Sequence, residues 1–250
     1  MIQIQPRYSE KEKWQEFAEE RTLRFEILEF SSYYLNSVMD EEQYKWYRET
    51  GLVDSIHGVF MDACPLSPDN EIREISRKRC RKSCRQAQKV GAKNVVFHST
   101  ALPFVRGGLD VLWGRDAAEY YCMLAEEHDL NLFIENFNDV NPEPFLRMME
   151  NVTGDRVKVC LDIGHANYSR IPIAEWFSAL GDSIGYMHIS DNLGSWDDHM
   201  VLGKGTVDFS AADEFYRKKG GKIPLTIEVH TLGELEESIA FLEREKLFGF

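Results

Sequence analysis

Eight short apolar runs alternate with longer helical patterns along this chain, and that alternation restricts its fold more than any other feature. The runs are IQIQ (2–5), RFEILEF (24–30), LVDSIHGVF (52–60), NVVFHST (94–100), LNLFIENF (130–137), VKVCLDIGH (157–165), IGYMHIS (184–190) and PLTIEVH (224–230). Between them lie stretches with helical spacing, such as EIREISRKRCRKSCRQAQKVG (71–91) and GRDAAEYYCMLAEEHD (114–129). The first of these stops at Gly91, just past Val90, where a glycine can take the left-handed turn that ends a helix. Eight strand–helix units in 250 residues imply a parallel sheet that closes on itself, an α/β fold of the (β/α)8 TIM-barrel type. A doubly wound open sheet is the competing arrangement, but no GxGxxG turn supports it. No linker, low-complexity tract or repeat divides the sequence, so residues 1–250 read as one domain.

The bulk properties narrow the surroundings. The N-terminal MIQIQPRYSEKEKW has no signal-peptide core, and no stretch approaches the ~18 apolar residues of a membrane span. A cytoplasmic protein without a membrane partner is the expectation. Five cysteines (64, 80, 84, 122 and 160) form no CxxC or CxxH pattern, and their odd number argues against a disulfide framework. Cys80 and Cys84 fall in line with Ala87 on one helix and read as small packing residues. The formal charge of −13 disfavours a nucleic-acid partner, with Arg106 in PFVRGG the main candidate for such a contact. A homodimer is the default assembly for a soluble enzyme.

The chemistry-bearing residues gather at the C-terminal ends of the strands, the rim where a barrel builds its active site. Strand three delivers His57, strand four His98 and strand five Glu135. Strand six ends with Asp162 and His165, strand seven carries His188, the next loop Asp197 and His199, and strand eight Glu228. Each residue alone has an ordinary structural explanation. Together, four carboxylates and five histidines facing one cavity would repel or desolvate one another unless a cation neutralised them. Mixed imidazole and carboxylate donors suit Mn, Zn, Co or Mg, with room for one to three ions. His230 lies two residues beyond Glu228 as a further contact, while His128, on a helix before strand five, is expected to face solvent.

At this point the chain resembles the xylose-isomerase-like barrel superfamily of sugar and sugar-phosphate isomerases and epimerases, which also contains the apurinic-site endonucleases. The likeness runs from strand three to the last strand through HGVF, LSPDNEIREISRKRC, VVFHS, FIEN, CLDIGHAN, HISDN, DDHMVLGKGTVDF and TIEVH. It implies a central metal held by Glu135, Asp162, His188 and Glu228, with the two glutamates moving protons on opposite sides of a bound sugar. The endonuclease branch implies further ligands at His57, His98, His165, Asp197 and His199. Where relatives often show LGEG this chain has LGKG, which makes Lys204 a candidate for binding an anionic substrate group. Phe60 and Trp196 on rim loops, with His165 and His230, are the other candidate substrate contacts. The implied activity is metal-dependent isomerisation or epimerisation of a small sugar, sugar phosphate or keto-sugar, by proton transfer alpha to a metal-bound carbonyl. The alternatives are a zinc-dependent phosphodiesterase acting at abasic DNA and a non-catalytic barrel that binds sugar or metal.

Overall fold

The structure, a computed structural model, describes residues 1–31, 41–101, 109–169 and 171–250. Eight parallel strands close into a barrel in sequence order: β1 (Ile2–Ile4), β2 (Arg24–Ile27), β3 (Val53–His57), β4 (Asn94–His98), β5 (Asn131–Glu135), β6 (Val157–Asp162), β7 (Ile184–Ile189) and β8 (Leu225–Ile227). The ring shuts where Ile2 pairs with Leu225 and Ile4 with Ile227. The helices are α1 (Lys11–Arg21), α2 (Glu41–Thr50), α3 (Asn70–Val90), α4 (Leu109–His128), α5 (Glu143–Met149), α6 (Ile163–Tyr168), α7 (Ile173–Leu180), α8 (Phe209–Lys218) and α9 (Leu232–Glu245).

The helix ends follow local chemistry. Asp69 caps α3 by accepting from the backbone N–H of Glu71 at 2.9 Å and of Ile72 at 3.1 Å. Gly91 closes the same helix at φ 83°, as the sequence predicts. Thr231 and Glu234 form a reciprocal capping box on α9.

Strand residues alternate between two cores because successive side chains point to opposite faces. The outward set, including Ile4, Phe25, Ile27, Ile56, Val95, Phe97, Ile134 and Leu161, packs with helix residues such as Trp14, Tyr47, Cys84 and Trp176. The inward set forms a small separate cluster of Val96, Phe133, Cys160 and Tyr186. One inward step further toward the C-terminal ends, the apolar residues give way to His98, Glu135, Asp162 and His188. Apolar filling below and polar groups above is how a barrel turns its upper end into a site.

The observed strands are shorter than the apolar runs suggest. RFEILEF leaves the sheet at Ile27, and Glu29 accepts hydrogen bonds from Tyr8 N–H at 3.0 Å and Tyr47 O–H at 2.7 Å. His165 does not end strand six: it lies in α6, whose first turn is capped by Asp162 accepting from the His165 N–H at 2.7 Å. His128 is buried rather than solvent-facing, because α4 ends by folding it against the body beside Gln88, whose amide donates to the His128 carbonyl at 2.8 Å. Burial lowers its pKa. Cys80 and Cys84 are buried in the outer core. Among the described residues no helix is long and apolar enough to cross a membrane.

Candidate metal centre

The strand ends and the segments that follow them bring the nine predicted residues into three adjoining groups, in each of which the ligand-type atoms lie within 4.8 Å of one another: His57, His98 and Glu135; Glu135, Asp162, His188 and Glu228; and His165, Asp197 and His199; a fourth such group adds the unforeseen Cys160 to Glu135 and His188. Glu135 belongs to the first two. Its Oε2 lies 3.3 Å from His57 Nε2 and 3.5 Å from His98 Nε2, and its Oε1 lies 3.2 Å from His188 Nδ1 and 3.3 Å from His165 Nδ1. Glu228 Oε1 approaches the same His188 Nδ1 at 3.3 Å. Asp197 stands between the rings of the third group, 3.2 Å from His165 Nε2 and 3.1 Å from His199 Nε2.

Local backbone geometry places these side chains. The Asp162 cap turns the chain into α6 so that His165 folds back over the strand ends, its Nδ1 2.6 Å from the Asn136 carbonyl. A Cβ at Gly164 would collide with Ser190 Oγ, so glycine there lets α6 sit against the end of β7. The loop carrying Asp197 and His199 is anchored by Asp191, which accepts from the N–H groups of Asn192, Gly203, Gly205 and Val207 at 2.8–3.1 Å. His199 itself adopts a left-handed φ of 46°, a conformation non-glycine residues visit mainly where the surroundings impose it.

The electrostatics favour a cation. Burial works against the charged imidazoles of His165 and His188, yet Asp162, Asp197 and Glu135 around His165, and Cys160, Glu228, Glu26 and Glu135 around His188, outweigh it and push both well above the usual histidine value. Burial also works against Glu135, and the charges of the His188 and His98 imidazoles, with the close approach of the His165 and His188 rings, hold it well below the usual carboxylate range. Asp162, buried and next to Glu228 and Glu135, is pushed up to about 7 despite the charge of His165. Burial drives His98 down to about 3. His199 rises to about 9 against the cost of its burial, through its bond to Asp197.

These groups fit a metal ion on one further test. Both carboxylate oxygens of Glu135, Oδ2 of Asp162 and Nδ1 of His188 are buried and make no well-aligned hydrogen bond, their nearest polar neighbours being one another and the other members of the cluster. Buried polar atoms are almost always partnered, so lone pairs aimed at a common space are the donor set a divalent cation takes. The protons held by the imidazoles stand in for that charge and would leave on binding.

The remaining candidates lie around this cluster. Phe60 packs edge-on to His57 at 5.0 Å between ring centres and lies 4.8 Å from His98. Trp196 projects from the rim with 73% of its surface exposed. His230 is exposed, its ring 5.7 Å from that of His199. Lys204 stands apart, 3.9 Å from Glu237 over an outer cleft of about 260 Å³ between its loop and α9. Arg106 lies outside the described residues.

Sequence reasoning passed over two inward polar residues of the first strands. Glu26 on β2 lies 3.0 Å from His188 Nε2, and Gln5, just past β1, donates to both Glu26 and Glu228. Burial raises the Glu26 carboxyl, but the charges of His188 and His57 and the hydrogen bonds from His188 and Tyr186 outweigh it and bring it down to about 2. The available signal was one charge between Phe25 and Ile27 in an otherwise buried strand. Stacking of Phe137 on His98, at 4.6 Å between ring centres, was also not foreseen.

Comparison with known proteins agrees with this architecture. The sequence model of the xylose isomerase-like TIM barrel matches residues 9–245. The uncharacterised protein MJ1311 of Methanocaldococcus jannaschii is 23% identical over 206 residues, which cover 75% of this chain and 68% of that protein. The TTHB071 protein from Thermus thermophilus, in a structure soaked with ZnCl2, superposes with a TM-score of 0.80 at 22% identity, covering 97% of this chain and 96% of the other. The 3-keto-D-glucoside 4-epimerase of E. coli, in its apo form, gives a TM-score of 0.70 at 20% identity over 97% of this chain and 98% of its own. At these identities the likeness establishes a shared fold.

Proposed function

Because the chain belongs to the xylose isomerase-like TIM-barrel family, we propose that it is a divalent-metal-dependent isomerase or epimerase of a small sugar, sugar phosphate or keto-sugar. One observation carries the reading: Glu135 and Glu228 approach the same His188 Nδ1, at 3.2 and 3.3 Å, in a four-residue donor set completed by Asp162. Two carboxylates converging on one centre can take a proton from a carbon and return one to it. A zinc-soaked structure and a sugar epimerase among the fold's relatives are in keeping with this reading.

A divalent ion held by Glu135, Asp162, His188 and Glu228 supplies Lewis-acid polarisation of a substrate carbonyl and a template for the neighbouring hydroxyl. The protein's own part is to position and to move protons. Gln5 fixes Glu228 Oε1 with a 2.5 Å hydrogen bond, so the proton-transferring oxygen is Oε2, which lies 3.8 Å from His199 Nδ1. Phe60 supplies an apolar wall against His57 and His98, and Trp196 and His230 contact the outer end of the substrate. Lys204, exposed on the loop after β7 beside Glu237, is the candidate contact for an anionic substituent of a substrate that extends beyond the rim.

The test is solvent exchange. The protein, reconstituted with Mn, Co, Zn or Mg, is incubated with a panel of keto-sugars and their phosphates in D2O, and deuterium is followed by proton NMR. Incorporation beside the carbonyl that Glu228→Gln abolishes is the expected result. Sugar binding without exchange across the panel would favour the non-catalytic barrel.

The third group, His165, Asp197 and His199, favours a second reading, a zinc-dependent phosphodiesterase that uses all nine residues. Cleavage of an abasic-site oligonucleotide by the zinc-loaded protein, without exchange on any sugar, would select it. The net charge of −13 favours the sugar reading.

A further inference from the structure

β1 and β2 contribute no member to the three donor groups, yet Gln5 and Glu26 stand directly behind two of those members. Glu26 is fully buried and fully partnered. Its Oε2 accepts from Tyr186 O–H at 2.5 Å and Thr226 O–H at 2.8 Å and lies 3.0 Å from His188 Nε2. Its Oε1 accepts from the Gln5 amide at 3.3 Å, and the same amide nitrogen donates to Glu228 Oε1 at 2.5 Å. On the other side of the His188 ring, Nδ1 has no hydrogen-bond partner and faces Glu135 and Glu228.

We propose that Glu26 and Gln5 are positioning residues of the metal centre, with Glu26 holding His188 as its Nε2–H tautomer and Gln5 fixing the free rotation of Glu228. The assignment rests on the reading of His188 and Glu228 as ligands. A carboxylate is the strongest acceptor available to an imidazole N–H. By taking the Nε2 proton it leaves the Nδ1 lone pair directed into the donor set and makes that nitrogen more basic. The Gln5 amide has two hydrogens, one for each carboxylate, so a single side chain sets the spacing between the supporting glutamate and the reacting one. Tyr186 and Thr226 then hold Glu26 in turn, so that a chain of hydrogen bonds from β1, β2, β7 and β8 converges on one imidazole and one carboxylate.

The experiment uses zinc alone. The dissociation constant is measured by competition with a chromophoric chelator for the wild type, Glu26→Gln, Glu26→Ala and Gln5→Ala, with thermal melting recorded in parallel. Outer-shell partners of metal-binding histidines typically change affinity 10–100-fold. Glu26→Ala is therefore expected to weaken zinc by about 10- to 100-fold, and Glu26→Gln, which keeps an acceptor but loses the charge, by less. Gln5→Ala is expected to weaken it by less than Glu26→Ala does, because Glu228 keeps its place while losing one donor. In nitrogen-resolved NMR of the zinc-loaded protein the His188 Nε2 proton should be downfield and slow to exchange, and Glu26→Ala should lose both properties. Glu26→Gln is close to isosteric and preserves the test if the alanine variant does not fold. Lowered melting temperatures with an unchanged dissociation constant and an unchanged His188 resonance would mean a merely structural role and overturn the assignment. A wild type that binds no zinc would remove both the assignment and the metal reading beneath it, whereas zinc binding that is equal in all variants would overturn the assignment alone.

Discussion

Glu26 on β2 and Glu135 on β5 are both fully buried in the barrel, but they stand in opposite states. Glu26 on β2 is surrounded by donors from His188, Tyr186, Thr226 and Gln5. Glu135 on β5 is equally buried, and neither of its oxygens has a hydrogen-bond partner. Since an unpartnered buried polar group costs about 1–3 kcal/mol, and more when charged, an orphaned carboxylate at a strand end marks a place meant to be filled. A satisfied one marks a support. The contrast divides the barrel into a binding arc and a holding arc that share His188 at their boundary.

The largest effect should follow from the binding arc. Glu135→Gln removes the residue shared by the donor groups around His57 and His188, and we expect a loss of about 10³-fold or more in turnover together with a lower metal content, read by kinetics and elemental analysis. Turnover and metal content close to wild type would break the contrast, since the orphaned carboxylate would then be dispensable.

A smaller effect is expected at Asp139, a buried carboxylate of the binding arc that is partnered, accepting from Ser99 O–H at 3.2 Å and Phe137 N–H at 3.1 Å. Burial pushes it up to about 7, although the hydrogen bonds and the charge of His165 pull the other way. Its folded-state value thus lies above the ordinary aspartate range, so the folded protein binds the proton more tightly than the unfolded chain. The resulting stability is fully present below pH ~4 and is lost as the pH rises toward about 7, amounting to at most ~4 kcal/mol. Asp139→Asn should flatten stability over that window in urea unfolding at several pH values. An unchanged pH profile would show that Asp139 is ionised throughout.

The smallest effect belongs to Lys204, which lies outside both arcs beside Glu237. Exposed ion pairs of this kind contribute about 0–1 kcal/mol. Lys204→Ala should raise KM about 3-fold or less for a phosphorylated sugar and leave the unphosphorylated one unchanged. A KM for the phosphorylated sugar unchanged from wild type would remove the lysine from substrate binding.

Most of the binding arc was legible in the sequence, because each apolar run from strand three onward carries a histidine or carboxylate near its C-terminal end and a closed barrel places those ends together. His57, His98, Glu135, Asp162, His188 and Glu228 were found this way, and the structure gathers them. The holding arc was not legible. In RFEILEF the alternation of charged and apolar residues is what a half-exposed strand would show, and only closure of the barrel turns Glu26 inward beneath His188. Gln5 likewise gains meaning only when β1 pairs with β8 and brings it to Glu228, 223 residues away. His128 was misplaced because helix periodicity does not show how the last turn of α4 tucks under Gln88. Lys204 was expected beside the site from its sequence neighbours, and its side chain stands beside Glu237 at the outer cleft.

The most direct test of the central claim is the metal content of the protein, counted per chain by inductively coupled plasma mass spectrometry after purification without chelators and again after reconstitution. Between one and three divalent ions per chain are expected in the wild type, and fewer in Glu135→Gln, which removes a member of the groups around His57 and His188 but none of the His165, Asp197 and His199 group. No metal in the wild type under either condition would contradict the claim.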